Sequence, residues 1–383
     1  MSVSSNSIIQ QLRQLVALPS VSSTDPRWDQ GNRAVIDTLA MWLSDLGFSC
    51  TIQNVSPDGQ KANLIATLGS GPGGLVLAGH TDTVPFDEGR WLSDPLHLTE
   101  RDDRLYGLGS TDMKGFFPLA IAAATLFKDA DLKQPLIILA TADEESSMNG
   151  ARALAHSGFP KARAAIVGEP TSLVPIRMHK GIMMESVQVV GRAGHSSNPQ
   201  LGNSALDAMH AVMGDLIQYR QELQQRFSND FFEVAFPTLN LGCIHGGDSP
   251  NRICGSTELH FDLRMTPNGD NASVRGEIEQ RVQLIAQQHE LDISLRSLVK
   301  NISPFEQTAD CELVRVAEKM TGHTAKSVAF ATEAPFLQQL GMETIVMGPG
   351  SIDLAHQPDE YLALDQIEPC ISLLQRFIKH YCL

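Results

Sequence analysis

The sequence predicts an α/β protein: a mainly parallel-sheet domain carrying an inserted α+β domain. Short aliphatic runs alternate with helical patterns through the first half of the chain. After Gly181 the texture changes to a β-α-β-β-α-β order, the split βαβ or ferredoxin-like arrangement. Helix and strand patterns of the first kind then resume near residue 309.

Each element has a local reason. Residues 6–18 form an amphipathic helix pattern stopped by Pro19, and a second runs over 30–46 and is closed by Gly47. Asn63–Leu68, Leu75–Ala78, Leu136–Thr141 and Ala164–Val167 are aliphatic and too short for helices, so they read as buried strands. Helical patterns at 115–128 and 147–157 lie between them, which implies a parallel sheet. Met183–Val190 alternates like a half-exposed strand. A helix at 203–227, strands near 238–244 and 256–265, a helix at 271–289 and a strand at 292–299 follow. A helix at 309–321, a strand at Thr344–Met347 and a helix at 366–381 complete the pattern. The expected division is 1–182 with 300–383 as one domain and 183–299 as the insertion, and 383 residues suit two or three domains of about 150 each.

Composition narrows the function. The chain has 29 Lys+Arg against 44 Asp+Glu, a net charge of −15. That balance argues against nucleic acid and against anionic lipid. No apolar run approaches the roughly 20 residues of a membrane span. No basic stretch followed by an apolar one marks the first residues, so a cytoplasmic protein is expected. The six cysteines form no CxxC and read as reduced thiols. Gly69-Ser-Gly71-Pro-Gly-Gly74 matches GxGxxG, yet a strand follows it instead of a helix, so it reads as a turn and not as a dinucleotide site. No GxSxG elbow supports a serine nucleophile.

The chemistry gathers where apolar runs end. Leu75–Ala78 runs into His80 and Asp82, Leu136–Thr141 into Glu144 and Glu145, and Ala164–Val167 into Glu169. Asp112 precedes a helix, and His356 follows the run at Thr344–Met347. In open α/β sheets the carboxyl edge is where sites are built. His80, Asp112, Glu145, Glu169 and His356 make a mixed N/O set that suits zinc or cobalt, without the cysteines of a structural zinc. Five ligands exceed one open catalytic site but suffice for two ions if one carboxylate bridges. Asp82 is placed to accept the second ring N–H of His80. Of the adjacent pair Glu144 and Glu145, one can bind metal while the other moves a proton. Each piece alone has a plainer reading, as a solvated loop or a charged helix start. The case rests on their falling together at one sheet edge.

At these residues the sequence resembles the di-zinc aminoacylase/carboxypeptidase family. The motifs are Gly79-His80-Thr-Asp82-Thr-Val-Pro85, Tyr106-Gly-Leu-Gly-Ser-Thr-Asp112-Met-Lys-Gly, Thr141-Ala-Asp-Glu144-Glu145, Gly168-Glu169-Pro-Thr171 and the region of His356. The resemblance implies that His80, Asp112 and Glu169 hold one ion and Asp112, Glu145 and His356 the other. It makes Asp82 the residue that orients His80, and Glu144 the general base. It implies a catalytic domain with a dimerisation and lid domain over 183–299, and hence a homodimer. Gly191-Arg-Ala-Gly-His195 resembles the lid motif whose histidine reaches the partner's site. Asn251-Arg-Ile-Cys254 and Phe261-Asp-Leu-Arg264 resemble the segment whose asparagine and arginine hold a substrate carboxylate, although Cys254 stands where the family often has proline. Thr332-Glu333-Ala-Pro-Phe points to the branch acting on N²-acetyl-L-ornithine, with Glu333 a candidate for its δ-ammonium. N-Succinyl-diaminopimelate, other N-acyl amino acids and dipeptides are the alternative substrates within the family.

Overall fold

A computed structural model describes residues 5–383. In chain order the elements begin with α1 (Ser5–Val16), α2 (Arg33–Asp45), β1 (Ser49–Asn54), β2 (Ala62–Leu68), β3 (Leu75–His80), β4 (Thr99–Arg101) and β5 (Arg104–Tyr106). Then come α3 (Phe116–Thr125), β6 (Leu136–Thr141), α4 (Asn149–Ser157), β7 (Ala164–Pro170), β8 (Ile176–His179), β9 (Met183–Val190) and β10 (Gly194–His195). α5 (Ala205–Arg226), β11 (Thr238–Gly246), β12 (Arg252–Ile253), β13 (Ser256–Arg264), α6 (Asn271–His289), β14 (Asp292–Ser297) and β15 (Phe305–Glu306) follow. The chain closes with α7 (Glu312–Thr321), β16 (Lys326–Val328), α8 (Ala334–Gln339), β17 (Glu343–Gly348), β18 (Tyr361–Ala363) and α9 (Ile367–Cys382).

Two compact units result. The first takes the described residues up to Arg177, Gln307–Lys326 and Thr332–Leu383; the second takes Met178–Glu306 and Ser327–Ala331. In the first unit the strand order is β1-β2-β6-β3-β7-β17. β6, β3, β7 and β17 are mutually parallel, while at one edge β2 pairs antiparallel with β6 and β1 antiparallel with β2. The parallel strands are buried on both faces, which is why they read as unbroken aliphatic runs. One face joins a core with Leu12 and Leu15 of α1, Leu39 and Leu43 of α2, the apolar run Phe116 to Ala124 of α3, and Phe377 of α9. Close approach sets one residue beside the site: a Cβ on Gly168 would meet the Phe116 ring at 2.4 Å.

In the second unit β11-β13-β9-β14 form an antiparallel sheet. Apolar positions of α5 and α6, such as Val212, Leu216, Val274 and Ile278, bury against Val187, Leu259 and Phe261. Both helices start on side-chain caps: Ser204 accepts from the Asp207 N–H and Asp270 from that of Ser273.

The structure departs from the sequence reading in several places, the short β8, β10, β12, β15, β16 and α8 among them. The helix expected over 30–46 begins at Arg33 because the Asn32 amide is spent on the main chain of Ala62 and on the Thr81 hydroxyl. β1 went unread because SCTIQN is polar and lies at an edge. The three-stranded β4-β5-β18 ribbon was unread because each strand has only three residues. Gly69–Gly74 is the turn between β2 and β3. Among the described residues no helix is long and apolar enough to cross a membrane.

Candidate metal centre

The carboxyl ends of β3, β6, β7 and β17 bring the acidic and imidazole groups of the first unit together. His80 is the last residue of β3 and is buried. Glu144 and Glu145 lie in the loop after β6, beyond Ala142 and Asp143, and Glu169 lies at the end of β7. Asp112 sits in the loop between β5 and α3, where the Asp112–Met113 peptide is cis. His356 lies in the loop after β17 with its side chain 54% exposed.

Asp112 is the centre of the arrangement. Its Oδ1 lies 3.0 Å from His80 Nε2, and its Oδ2 lies 3.4 Å from His356 Nε2. Glu169 Oε2 is 3.9 Å from His80 Nε2, and Glu145 Oε2 is 3.0 Å from His356 Nε2. One carboxylate thus offers one oxygen to each imidazole, and each imidazole has a second carboxylate beside it. Donor atoms of His80, Asp112 and Glu145 come within 4.8 Å of one another, as do those of His80, Glu144 and Glu169.

His80 is held by Asp82 through the main chain. Its Nδ1 lies 3.0 Å from the Asp82 carbonyl oxygen and 3.7 Å from Asp82 Oδ1. A ring N–H donated to that carbonyl leaves Nε2 to face Asp112. The Asp82 carboxylate instead accepts the main-chain N–H groups of Glu144, at 3.2 Å, and Glu145, at 3.0 Å. Asp82 therefore ties the end of β3 to the loop after β6.

The electrostatics call for a cation. Burial and the neighbouring Glu169 push Glu144 well above the usual carboxylate range. Burial and the Asp112 charge raise Glu145. Burial raises Glu169 strongly, His80 opposing and Asp112 adding. Burial also acts on Asp112, yet His356 and His80 hold it well below the usual range. Asp112 and Glu145 lift His356 to about 10. Burial would lower His80, but Asp112, Glu169, Glu144 and Asp82 together raise it well above an ordinary imidazole. Carboxylates crowded in a dry site, with protons drawn onto imidazoles in compensation, are what metal ions would relieve. The donors are all oxygen and imidazole nitrogen, with no sulfur, which fits zinc or cobalt.

Of the remaining predicted residues, Glu333 belongs to the first unit and His195, Asn251 and Arg264 to the second. Glu333 is 1% exposed and accepts from the Thr141 hydroxyl at 2.7 Å, while its Oε1 has no hydrogen-bond partner. Burial pushes Glu333 up to about 7. In the second unit, exposed His195 on β10 pairs through Nδ1 with the Ser197 hydroxyl at 2.7 Å. The Asn251 side-chain oxygen accepts from Ser249 at 2.6 Å, and its carbonyl accepts from the Ser196 N–H. Arg264 Nε donates to both oxygens of Asp262 at 3.0 Å.

Two supporting carboxylates escaped the sequence reading. Asp143, beside Glu144, accepts from Lys61 at 2.6 Å and from Ser22 at 3.0 Å. Glu360 is buried against the loop that carries Asp112. Their partners lie far away along the chain, so no local pattern marks them.

Residues 76–380 match the model of peptidase family M20/M25/M40. The chain is 46% identical over 375 residues to the acetylornithine deacetylase of Photorhabdus laumondii subsp. laumondii, covering 98% of this chain and 97% of that one. It is 47% identical over 376 residues to the acetylornithine deacetylase of Vibrio cholerae, covering 98% and 99%. Among solved structures, aminopeptidase PepT from Bacillus cereus superposes with a TM-score of 0.77 at 16% identity, over 99% of each chain, which shows a shared fold.

Proposed function

The chain belongs to peptidase family M20/M25/M40, and on that premise we propose that it hydrolyses N²-acetyl-L-ornithine to L-ornithine and acetate, a step of arginine biosynthesis. The substrate follows from the curated deacetylases that share nearly half its residues over almost the whole length. The observation that carries the chemistry is Asp112, whose two oxygens face two different imidazoles. His80, Asp112 and Glu169 would hold one divalent ion, and Asp112, Glu145 and His356 a second, with zinc the expected metal and cobalt a substitute. Bound there, the ions would supply Lewis acidity to the acetyl carbonyl and to the attacking water.

The chain's own groups do the rest. Glu144 takes a proton from water as the water oxygen adds to the acetyl carbon. It returns that proton to the α-nitrogen as the C–N bond breaks, and the second water proton passes from the new carboxyl group to the amine, leaving acetate and an α-ammonium. Asp82 keeps the Glu144 main chain in place through its N–H, so the base stays beside His80 and Glu169. A homodimer through residues 183–299 belongs to the same reading. In it, His195 of the partner subunit would stabilise the oxyanion, while Asn251 and Arg264 hold the α-carboxylate. Glu333 would answer the δ-ammonium, although its burial against Thr141 makes a supporting role behind the ligands the simpler one.

Amine release from N²-acetyl-L-ornithine, N-succinyl-diaminopimelate and a dipeptide tests this, with added zinc or cobalt and again after chelation. Metal-dependent turnover that strongly favours acetylornithine is expected. Preference for another substrate would overturn the assignment of the pocket and leave the metal chemistry standing. Turnover indifferent to chelation would overturn the metal chemistry itself.

A further inference from the structure

Glu360 lies four residues beyond His356 and is 2% exposed. Its carboxylate is spent on one loop. Oε1 accepts the main-chain N–H of Thr111 at 2.7 Å and of Asp112 at 2.9 Å, and Oε2 accepts that of Gly109 at 3.0 Å. Its carbonyl oxygen accepts the Gly107 N–H at 3.0 Å. The next residue, Tyr361, pairs with Tyr106 in the β5–β18 ladder and accepts the Thr111 hydroxyl.

Three main-chain N–H groups converging on one carboxylate make a cradle of fixed geometry. One of them belongs to Asp112 itself. Fixing that peptide fixes where the Asp112 side chain starts, and hence how its two oxygens divide between His80 and His356. The segment from His356 to Tyr361 thus brings both an imidazole of the centre and the group that aims the shared carboxylate. A carboxylate whose only task was to close the loop would need no bond to the Asp112 N–H.

We propose that Glu360 is a positioning residue for the metal centre, which aims Asp112 by holding the main chain of Gly109, Thr111 and Asp112. This rests on Asp112 being the shared ligand. Loss of a partner that orients a metal ligand weakens binding by about 10–100-fold.

The test is titration of the chelator-treated full-length protein with cobalt(II). It follows ion stoichiometry, affinity and the visible cobalt absorption, with melting of the metal-free protein recorded alongside. Glu360→Ala should weaken cobalt uptake by about 10–100-fold and alter the absorption spectrum. Glu360→Gln keeps an acceptor for Thr111 and Asp112 and sets its amide against Gly109, so it should recover part of that loss. Thr111→Val removes the hydroxyl bond to Tyr361 but no bond to Glu360, and should keep the wild-type spectrum whatever it does to melting. Wild-type affinity and spectrum in Glu360→Ala would overturn the proposal. If Glu360→Ala does not fold, the same result in Glu360→Leu, which fills the space without an acceptor, would overturn it. Thr111→Val matching Glu360→Ala would also overturn it, since any loosening of the loop would then suffice. A wild-type protein that takes up no cobalt would overturn the metal centre on which the proposal stands.

Discussion

Glu144→Gln separates the two tasks open to that carboxylate. Its donor atom lies near enough to those of His80 and Glu169 to ligate, whereas the proposed mechanism makes it the proton carrier. The fold should tolerate the change, because the loop is anchored through the Glu144 main-chain N–H on Asp82, 3.2 Å away, and not through the side chain. Glutamine has the same shape but cannot take a proton. General acid–base catalysis contributes about 10²–10⁴-fold, or about 3–5 kcal/mol of barrier, so kcat should fall by that factor with KM little changed. Metal content, measured by emission spectrometry after dialysis, should stay at the wild-type value. The metal-free protein offers a second reading. Burial and neighbouring carboxylates raise the folded-state pKa of Glu144 above its unfolded value, so its charged form works against folding. Metal-free Glu144→Gln should therefore melt no lower than wild type at pH 7–8, with any advantage fading as the pH falls and the wild-type carboxyl takes up its proton. Near-normal kcat would refute the base assignment. Loss of one ion with loss of kcat would make Glu144 a ligand.

Further outcomes are expected elsewhere. His195→Ala should fold and dimerise by sedimentation but lose kcat; unchanged kinetics would remove that histidine from the mechanism. Asp82→Asn should keep the fold and weaken cobalt uptake, because its amide would oppose one of the two N–H groups now bonded to the carboxylate; unaltered uptake would make that tie dispensable. His179, fully buried beside Phe305, is held by burial down to about 4 from 6.5. Its unfolded form binds the proton more tightly, so this stability is whole above pH 6.5 and drains as pH falls towards 4, by about 3 kcal/mol in all. Urea unfolding of wild type and His179→Phe across that window should show a steeper acid loss in wild type; parallel curves would count against a neutral buried imidazole.

Legibility in the sequence followed physical strength. Leu136–Thr141 and Ala164–Val167 were readable because parallel strands buried on both faces must be aliphatic throughout. Met183–Val190 and 271–289 were read to the residue, since their apolar spacing faces one core. β1 was not, because an edge strand needs few apolar residues. The residues drawn together around Asp112 could be singled out because they follow strands and fall in recognisable motifs. Glu360 could not, since its meaning lies in three N–H groups some 250 positions earlier in the chain. Asp82 shows a subtler gap. Its place beside His80 was evident, but spacing alone could not say that the carbonyl would meet the imidazole and the carboxylate would reach the next loop.

The first unit is built from pieces separated by the second, and β17 lies parallel to β7 across a span of more than 170 residues of chain. During synthesis, His80, Asp112, Glu145 and Glu169 emerge long before His356 and Glu360. The intervening Met178–Glu306 is continuous and has its own core, so it can begin folding while the earlier strands still wait for β17. Until β17 docks, four acidic and imidazole groups stand without the histidine and the clamp that complete them. Metal acquisition is thereby made a late event, coupled to closure of the long connection between β7 and β17. A ribosome-bound fragment ending before residue 343 should not capture the ions in their final geometry, and a stalled or truncated product would be a polypeptide of carboxylates with no working centre.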